Sequence, residues 1–419
     1  MYLVAQKPAP VVAADSPSVQ IPAGDTLTLG EALSAARAAN AQLPPAALGV
    51  DIARTAVREG RASRAPRVGV EAGLNAGGPL AYTTSQGALQ LVASDTLFSG
   101  GLRRANSRIA QYQVAGAGAG YRIAQKDVDL AVRLGFADFL RAQSGITFRE
   151  QGIARLRSYL DQVQLRKAGG QPVGGDVLTT QVRLGSEEAL LADAHRMLDE
   201  ARLQLNDLLG RVPDSPLALV APPDPEPPPP PAGAAWTAAP EVRQAEANSA
   251  AARAGIAATR SERRPQVGVG ASLGALPAFG TDQGTGPNSG SGVGGAVFLS
   301  LTMPLLDGGV YRARMDRAQL QAQQARASQV VVEHQARLSY QLAYVQLANL
   351  YTQVSAWSRN VPIARDAYLQ TQSMYNGGAA TALEVLDAYT SWINANQSYA
   401  DAVLRYRQAD ANYLRWGTP

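Results

Sequence analysis

Two carboxylates, Glu384 and Asp387, stand three positions apart, a spacing that sets both on one face of a helix and concentrates negative charge there. On an arbitrary helix such a pair is a solvated face. Little else in the sequence offers chemistry. The absence of cysteine excludes disulfides, thiolate metal sites, a cysteine nucleophile and a lipidated N-terminal Cys. His195 and His334 are single, far apart and without acidic partners at ligand spacing, so they read as surface or packing histidines. Gly268-x-Gly270 and Gly292-x-Gly294 lack a following Lys-Ser/Thr and a helix start, which makes them strand or loop glycines rather than a phosphate cradle. With no catalytic constellation, the expectation is a protein that is not an enzyme and needs no cofactor.

The elements that hold these residues are unusual. Of the 419 residues 46% are hydrophobic and only 17% charged, below the roughly 25% of an average soluble chain. No apolar run reaches about 18 residues, so a membrane-spanning helix is excluded, whereas spanning strands are not. The net charge of +4 is a small difference between 38 basic and 34 acidic residues and does not point to nucleic acid. Residues 1–24 hold four prolines and no apolar core, so they do not read as a secretory signal, and 1–26 are expected to be a flexible N-terminal segment.

The chain repeats one plan. Arg64-Ala-Pro-Arg-Val-Gly-Val70 resembles Arg263-Arg-Pro-Gln-Val-Gly-Val269, and Leu97-Phe-Ser-Gly-Gly101 resembles Leu305-Leu-Asp-Gly-Gly309. From there the register holds: Gly169-Gly170 matches Gly377-Gly378, and Asp176-Val-Leu178 matches Glu384-Val-Leu386, all at an offset of 208. Two structural repeats, 27–210 and 240–419, flank a connector at 211–239, which holds eight prolines between Ala221 and Pro231 and favours stiff polyproline. Each repeat opens with a helix, the first capped by Thr28 with Glu31 and running to about Arg64. Period-two alternation then predicts strands at 67–75 and 86–98, and at 266–274 and 293–305 in the second repeat, with a long polar loop around Gly274 to Gly292. Val70, Leu91, Val269 and Leu299 fall on the apolar face. After each Gly-Gly elbow comes a helix of about 66 residues, roughly 100 Å long, with a narrow apolar stripe at coiled-coil steps. A glycine turn and a returning helix of about 35 residues follow.

Four strands cannot close alone, since membrane barrels need at least about eight. Several chains must therefore share a barrel, and three chains with twelve strands leave a passage where two chains do not. Long helices projecting from such a barrel suit transport across an envelope.

Helix, strand hairpin, Gly-Gly elbow, long helix, Gly turn with an acidic-Val-Leu motif and returning helix, all twice, resemble the TolC-like outer-membrane efflux protein family over residues 27–417. The resemblance implies mixed α and transmembrane β architecture: a trimeric 12-stranded β-barrel with four strands per chain, continued by a periplasmic α-helical coiled-coil tunnel. It implies a passive exit duct in the cell outer membrane, serving either type I protein secretion or multidrug efflux, with a periplasmic adaptor and an inner-membrane ABC or RND-type pump as partners and outer-membrane lipid around the barrel. The missing N-terminal cysteine leans toward the secretion and multidrug branch rather than the lipoprotein branch. A periplasmic coiled-coil structural or adaptor protein is the alternative.

By the same resemblance, Tyr375-Asn-Gly-Gly378 followed by Glu384-Val-Leu-Asp387-Ala388 matches the segment that forms acidic rings at the periplasmic constriction, here Glu384 and Asp387. Threefold symmetry would gather six carboxylates round one axis, attracting cations and raising one another's pKa. Asp176 matches the carboxylate that latches the tip by bonding a tyrosine, here Tyr375. Ala380 stands where the family can place a latch arginine. Gly169, Gly170, Gly377 and Gly378 become the helix-turn tips that meet the adaptor, and Gly100, Gly101, Gly308 and Gly309 the strand-to-helix elbows. Gly116, Gly118 and Gly120 inside the first long helix have no functional reading; each costs about 1 kcal/mol relative to alanine unless close packing offsets it.

Overall fold

The computed structural model describes residues 26–77, 84–170, 174–231, 233–279 and 291–417. Residues 1–25 of the expected flexible N-terminal segment and most of the Gly274–Gly292 loop lie outside the described residues, while Thr26 is in a strand. The chain divides into two compact units: one of Met1–Ala46, Tyr121–Ala239 and His334–Pro419, the other of Ala47–Gly120 and Pro240–Glu333.

In the first unit, a capping box opens α1 (Leu29–Ala39): the Thr28 N–H donates to the Glu31 carboxylate at 2.8 Å and the Glu31 N–H donates back to the Thr28 hydroxyl at 3.4 Å. The single opening helix expected as far as Arg64 is broken here. Asn40 leaves the helix, its amide donating to the Leu208 carbonyl at 3.0 Å while its side-chain oxygen accepts from the Gln42 N–H at 2.9 Å. A new helix, α2 (Leu43–Ala62), starts with Pro44 and Pro45 in its first turn, where a missing N–H costs nothing. Two-residue strands β1 (Thr26–Leu27) and β4 (Ala218–Leu219) pair in parallel, a contact too short to register as a pattern in sequence.

The long helices are α3 (Leu102–Ala168) and α6 (Val310–Asn376), each of 67 residues, and the returning helices are α4 (Gly174–Leu208) and α7 (Ala382–Gly417). Within the first unit, Ala32 and Ala36 of α1 pack with Val128, Val132 and Phe136 of α3, Leu205 of α4 and Leu209 just after it. Leu347, Leu350 and Val354 of α6 pack with Ala402, Tyr406 and Ala409 of α7. The proline connector lies on α7, where the Tyr406 hydroxyl donates to the Glu226 carbonyl at 2.6 Å and Arg407 donates to the Pro222 carbonyl at 3.3 Å. A cavity of about 310 Å³ beside it is lined by Arg133, Phe136, Tyr406 and Asp410.

In the second unit, β2 (Arg67–Gly77), β3 (Thr84–Phe98), β5 (Gln266–Phe279) and β6 (Ser291–Thr302) form one antiparallel sheet in the order β2-β3-β5-β6. The two expected hairpins are thus joined through β3 and β5. The last strand stops short of 305 because Pro304 carries no N–H for a ladder. Val70 lies opposite Leu91, Leu91 opposite Leu273, and Val269 opposite Leu299, so the four residues assigned to the apolar face do share one face. On the other face the Phe298 ring covers Gly270, where a Cβ would come within 2.3 Å of the ring. Helix α5 (Pro240–Ser261) packs against the start of α3, and this explains two of the three helix glycines: a Cβ at Gly116 would meet Asn248 at 3.3 Å, and one at Gly120 would meet Gln244 at 3.1 Å. Gly118 has open space.

Candidate functional site

The two Gly-Gly marks of each repeat bend the chain in the same way twice. At the elbows, Gly100 and Gly101 have φ of +62° and +98°, and Gly308 and Gly309 have +63° and +92°, a region that L residues enter only at a cost. The first turns that follow also match: Ala105 N–H donates to the Gly101 carbonyl at 3.0 Å and Ala313 N–H to the Gly309 carbonyl at 3.1 Å. At the helix turns only the second glycine of each pair is left-handed, Gly170 at +81° and Gly378 at +77°. The second turn closes as a Schellman cap, with Ala379 N–H donating to the Met374 carbonyl at 2.8 Å. Gly169, Gly170, Gly377 and Gly378 are all exposed.

Beside these turns Tyr375 is buried in an apolar cluster with Leu156, Tyr159, Val163, Val177 and Leu386. The Arg166 guanidinium sits 4.3 Å from the centre of the Tyr375 ring and donates to the Tyr375 carbonyl at 3.4 Å. A cation therefore does reach the tyrosine although Ala380 supplies none; it comes from the last turn of α3. The Tyr375 ring lies 5.5 Å from that of Tyr159, and both hydroxyls are buried with no hydrogen-bond partner among the described residues. Burial first, then the neighbouring Tyr375 phenol and the Asp176 carboxylate, hold the proton on Tyr159 well above the ordinary tyrosine range. Asp176 is half-buried in the first turn of α4, near this pair, but no hydrogen bond joins it to Tyr375 within the chain. A second layer of aromatic residues follows, with Tyr368 stacked on Trp392 at 5.7 Å and Arg155 over the same Trp at 4.2 Å. Gly152 is required there, since a Cβ would meet the Tyr389 hydroxyl at 2.3 Å.

Glu384 and Asp387 are both exposed on the first turns of α7. Glu384 also caps its helix. Its carboxylate accepts from the Thr381 N–H at 2.6 Å and the Thr381 hydroxyl at 3.0 Å, while the Glu384 N–H donates back to that hydroxyl at 3.3 Å. These bonds, the backbone one foremost, hold the carboxyl below the ordinary glutamate range. The signal, Thr381-x-x-Glu384 directly after a Gly-Gly turn, is as plain in the sequence as the one read at Thr28.

Two tandem segments, residues 32–211 and 233–414, match the sequence profile of the outer membrane efflux protein family. The chain belongs to that family. It is accordingly an outer-membrane channel of a tripartite export system, a class of ducts rather than of enzymes, and the alternative of a periplasmic coiled-coil adaptor falls away. Among solved structures the channel is similar to a membrane protein from Pseudomonas aeruginosa, at 20% identity and a TM-score of 0.81, covering 93% of this chain and 89% of that one. It is similar also to the outer membrane protein VceC from Vibrio cholerae, at 20% identity and a TM-score of 0.79, covering 93% of this chain and 96% of the other. The open-state outer membrane channel MtrE of Neisseria gonorrhoeae shares 21% identity at a TM-score of 0.75, with 93% and 88% covered. Comparison with curated proteins by sequence gives no match. Two neighbours of Tyr375 went unread in the sequence: Arg166, whose partner lies 209 positions away, and Tyr159, which carries no local signature.

Proposed function

We propose that three chains close their sheets into one 12-stranded barrel in the outer membrane and that their helices form a periplasmic tunnel, through which cargo passes passively to the exterior. The observation that carries this reading is the sheet. Four antiparallel strands expose Val68, Val70, Leu91, Leu299 and Leu301 on one face, and β2 and β6 each pair on one side only among the described residues. Edges of this kind demand pairing. Because β2 and β6 run antiparallel within the sheet, β6 of one chain against β2 of the next continues the alternation, and an even total closes without a fault.

At the other functional end, Glu384 and Asp387 line the periplasmic constriction, and Tyr375 with Asp176 forms the closure. The exposed turns Gly169–Gly170 and Gly377–Gly378, beside exposed Leu165, Leu178 and Leu383, receive a periplasmic adaptor that links the duct to an inner-membrane ABC or RND-type pump. The export served is type I protein secretion or multidrug efflux. Mass measurement of the detergent-solubilised protein tests the assembly: a heat-modifiable trimer supports it, and a stable monomer or dimer ends it. Spin labels at positions 70, 91, 269 and 299 reached by oxygen rather than polar quenchers support the face; the reverse result means a register slip.

A further inference from the structure

The ends of the sheet differ in charge. In the sequence, residues 75–86, from β2 to β3, and 275–292, from β5 to β6, hold one charged residue, Asp282. The opposite end, where β2 and β5 begin and β3 and β6 run into their elbows, is dense with arginine. Arg64, Arg104, Arg263, Arg264 and Arg312 are all exposed there, and none is paired with a carboxylate among the described residues, while Arg67 alternates with Val68 onto the other face of β2.

Three carboxylates of that end are committed elsewhere, and Asp316, one turn along α6 from Arg312, is exposed. Asp95 faces Arg103 at 3.4 Å, and Arg103 is further fixed by donating to the Thr96 and Ser63 carbonyls at 2.6 and 2.9 Å. Glu262 pairs with Arg314 at 2.9 Å. Asp307 caps α6, accepting from the Gly309 and Tyr311 N–H groups at 3.2 and 2.7 Å. Just strandward of the arginines stand exposed apolar side chains: Leu97 and Phe98 at the first elbow, Leu305 and Leu306 at the second, the last 97% exposed. The strand end and the elbow are also locked together, since Arg264 donates to the Gly100 carbonyl at 3.1 Å. A band of arginine beside a band of exposed aliphatic and aromatic side chains is built twice, once per repeat.

We propose that this arginine band binds the phosphate groups of anionic glycerophospholipids at the periplasmic boundary of the barrel. The inference rests on the reading of the sheet as a membrane barrel with its elbows on the periplasmic side. Guanidinium is the side chain suited to phosphate, presenting a planar fork of donors to two oxygens at once, and the aliphatic band beside it receives the glycerol ends of the acyl chains. A lipid, rather than a soluble anion, is the occupant because charge and apolar surface adjoin.

The test is native mass spectrometry of the detergent-solubilised channel with phosphatidylglycerol, phosphatidylcholine and inorganic phosphate, on the unaltered chain and on a variant with Arg64, Arg104, Arg263 and Arg312 changed to glutamine. The unaltered channel retains phosphatidylglycerol over phosphatidylcholine, inorganic phosphate does not displace it, and affinity falls roughly fivefold for each arginine removed. Equal retention of the two lipids, displacement by phosphate, or an undiminished preference in the glutamine variant overturns the proposal. Single-channel conductance of both proteins separates the failures: a conducting channel without lipid preference sinks this inference alone, and a chain that forms no channel sinks the barrel reading with it. A lysine variant at the same four positions keeps the charge, and preference retained there but lost with glutamine shows that folding is not the cause.

Discussion

The guanidinium of Arg166 lies 4.3 Å above the ring of Tyr375, joining the last turn of one long helix to the last turn of the other. The helix turn is thereby held by the ring of the tyrosine, while its hydroxyl is buried without a hydrogen-bond partner among the described residues.

Tyr375→Phe should therefore leave the unfolding midpoint of the purified channel unchanged or slightly raised, because it deletes a buried group that has no partner. Tyr375→Ala should cost about 3–5 kcal/mol by opening a cavity in the tip cluster, and Arg166→Ala about 1 kcal/mol; chemical denaturation measures all three. Bilayer conductance adds a second reading. If Phe raises conductance as far as Ala does, the hydroxyl is bonded across chains, and the Asp176 latch operates there.

Glu384 caps α7, and substitution can separate that cap from the constriction role proposed for its charge. Thr381→Ala removes the cap and keeps the charge, whereas Glu384→Ala with Asp387→Ala removes both. Block by a trivalent cation in bilayer recordings should fall in the double variant and persist in Thr381→Ala. The pH dependence has a definite sign. With its pKa lowered in the folded protein, the cap's contribution is present above the ordinary glutamate range and is lost as pH falls through the lowered value. Hydrogen exchange in the first turn of α7 should accelerate on that side and not at neutral pH.

How far the sequence reached depends on the range of the interactions. Gly100, Gly170, Gly308 and Gly378 were legible because a left-handed residue must be glycine whatever surrounds it, and a 208-residue offset exposes the pair. The long helices and the alternating strands follow from local periodicity. The break at Asn40 was not legible, since it depends on the Leu208 carbonyl 168 positions away. The β3 to β5 pairing was equally hidden, as two hairpins can join by either edge. Thr381 needed no distant information, and the box was there to be read.

Gly100 and Gly308 occupy equivalent places with equal dihedrals, yet their surroundings differ. A Cβ at Gly100 would fall 2.6 Å from the Cβ of Arg264, while Gly308 has nothing within 4 Å. Gly308→Ala should cost about 1–2 kcal/mol from the left-handed backbone alone. Gly100→Ala should cost that and a clash besides, giving a lower thermal midpoint and a smaller yield of heat-modifiable assembly. Equal losses at the two sites would mean that β5 is not seated against the first elbow.

Asp410 lies in the cavity beside the proline connector, and burial raises its pKa more than Arg133 lowers it. A raised carboxyl pKa means that the folded state holds the proton more tightly, so stability falls as pH rises from the ordinary aspartate range through the raised value. Asp410→Asn should flatten that decline and raise the thermal midpoint at neutral pH. An unchanged pH profile would show that the carboxylate is solvated there.

The one-sided strands β2 and β6 bear on inheritance as well as on shape. The proposed three-chain closure needs every edge filled, so on that reading a chain that still pairs through β2 but is blocked at β6 by a proline would be taken into mixed assemblies and leave each of them unsealed. Co-expressed with the intact gene product, such an allele would be dominant, because most assemblies would hold at least one defective seam, whereas a chain unable to pair at either edge would be recessive.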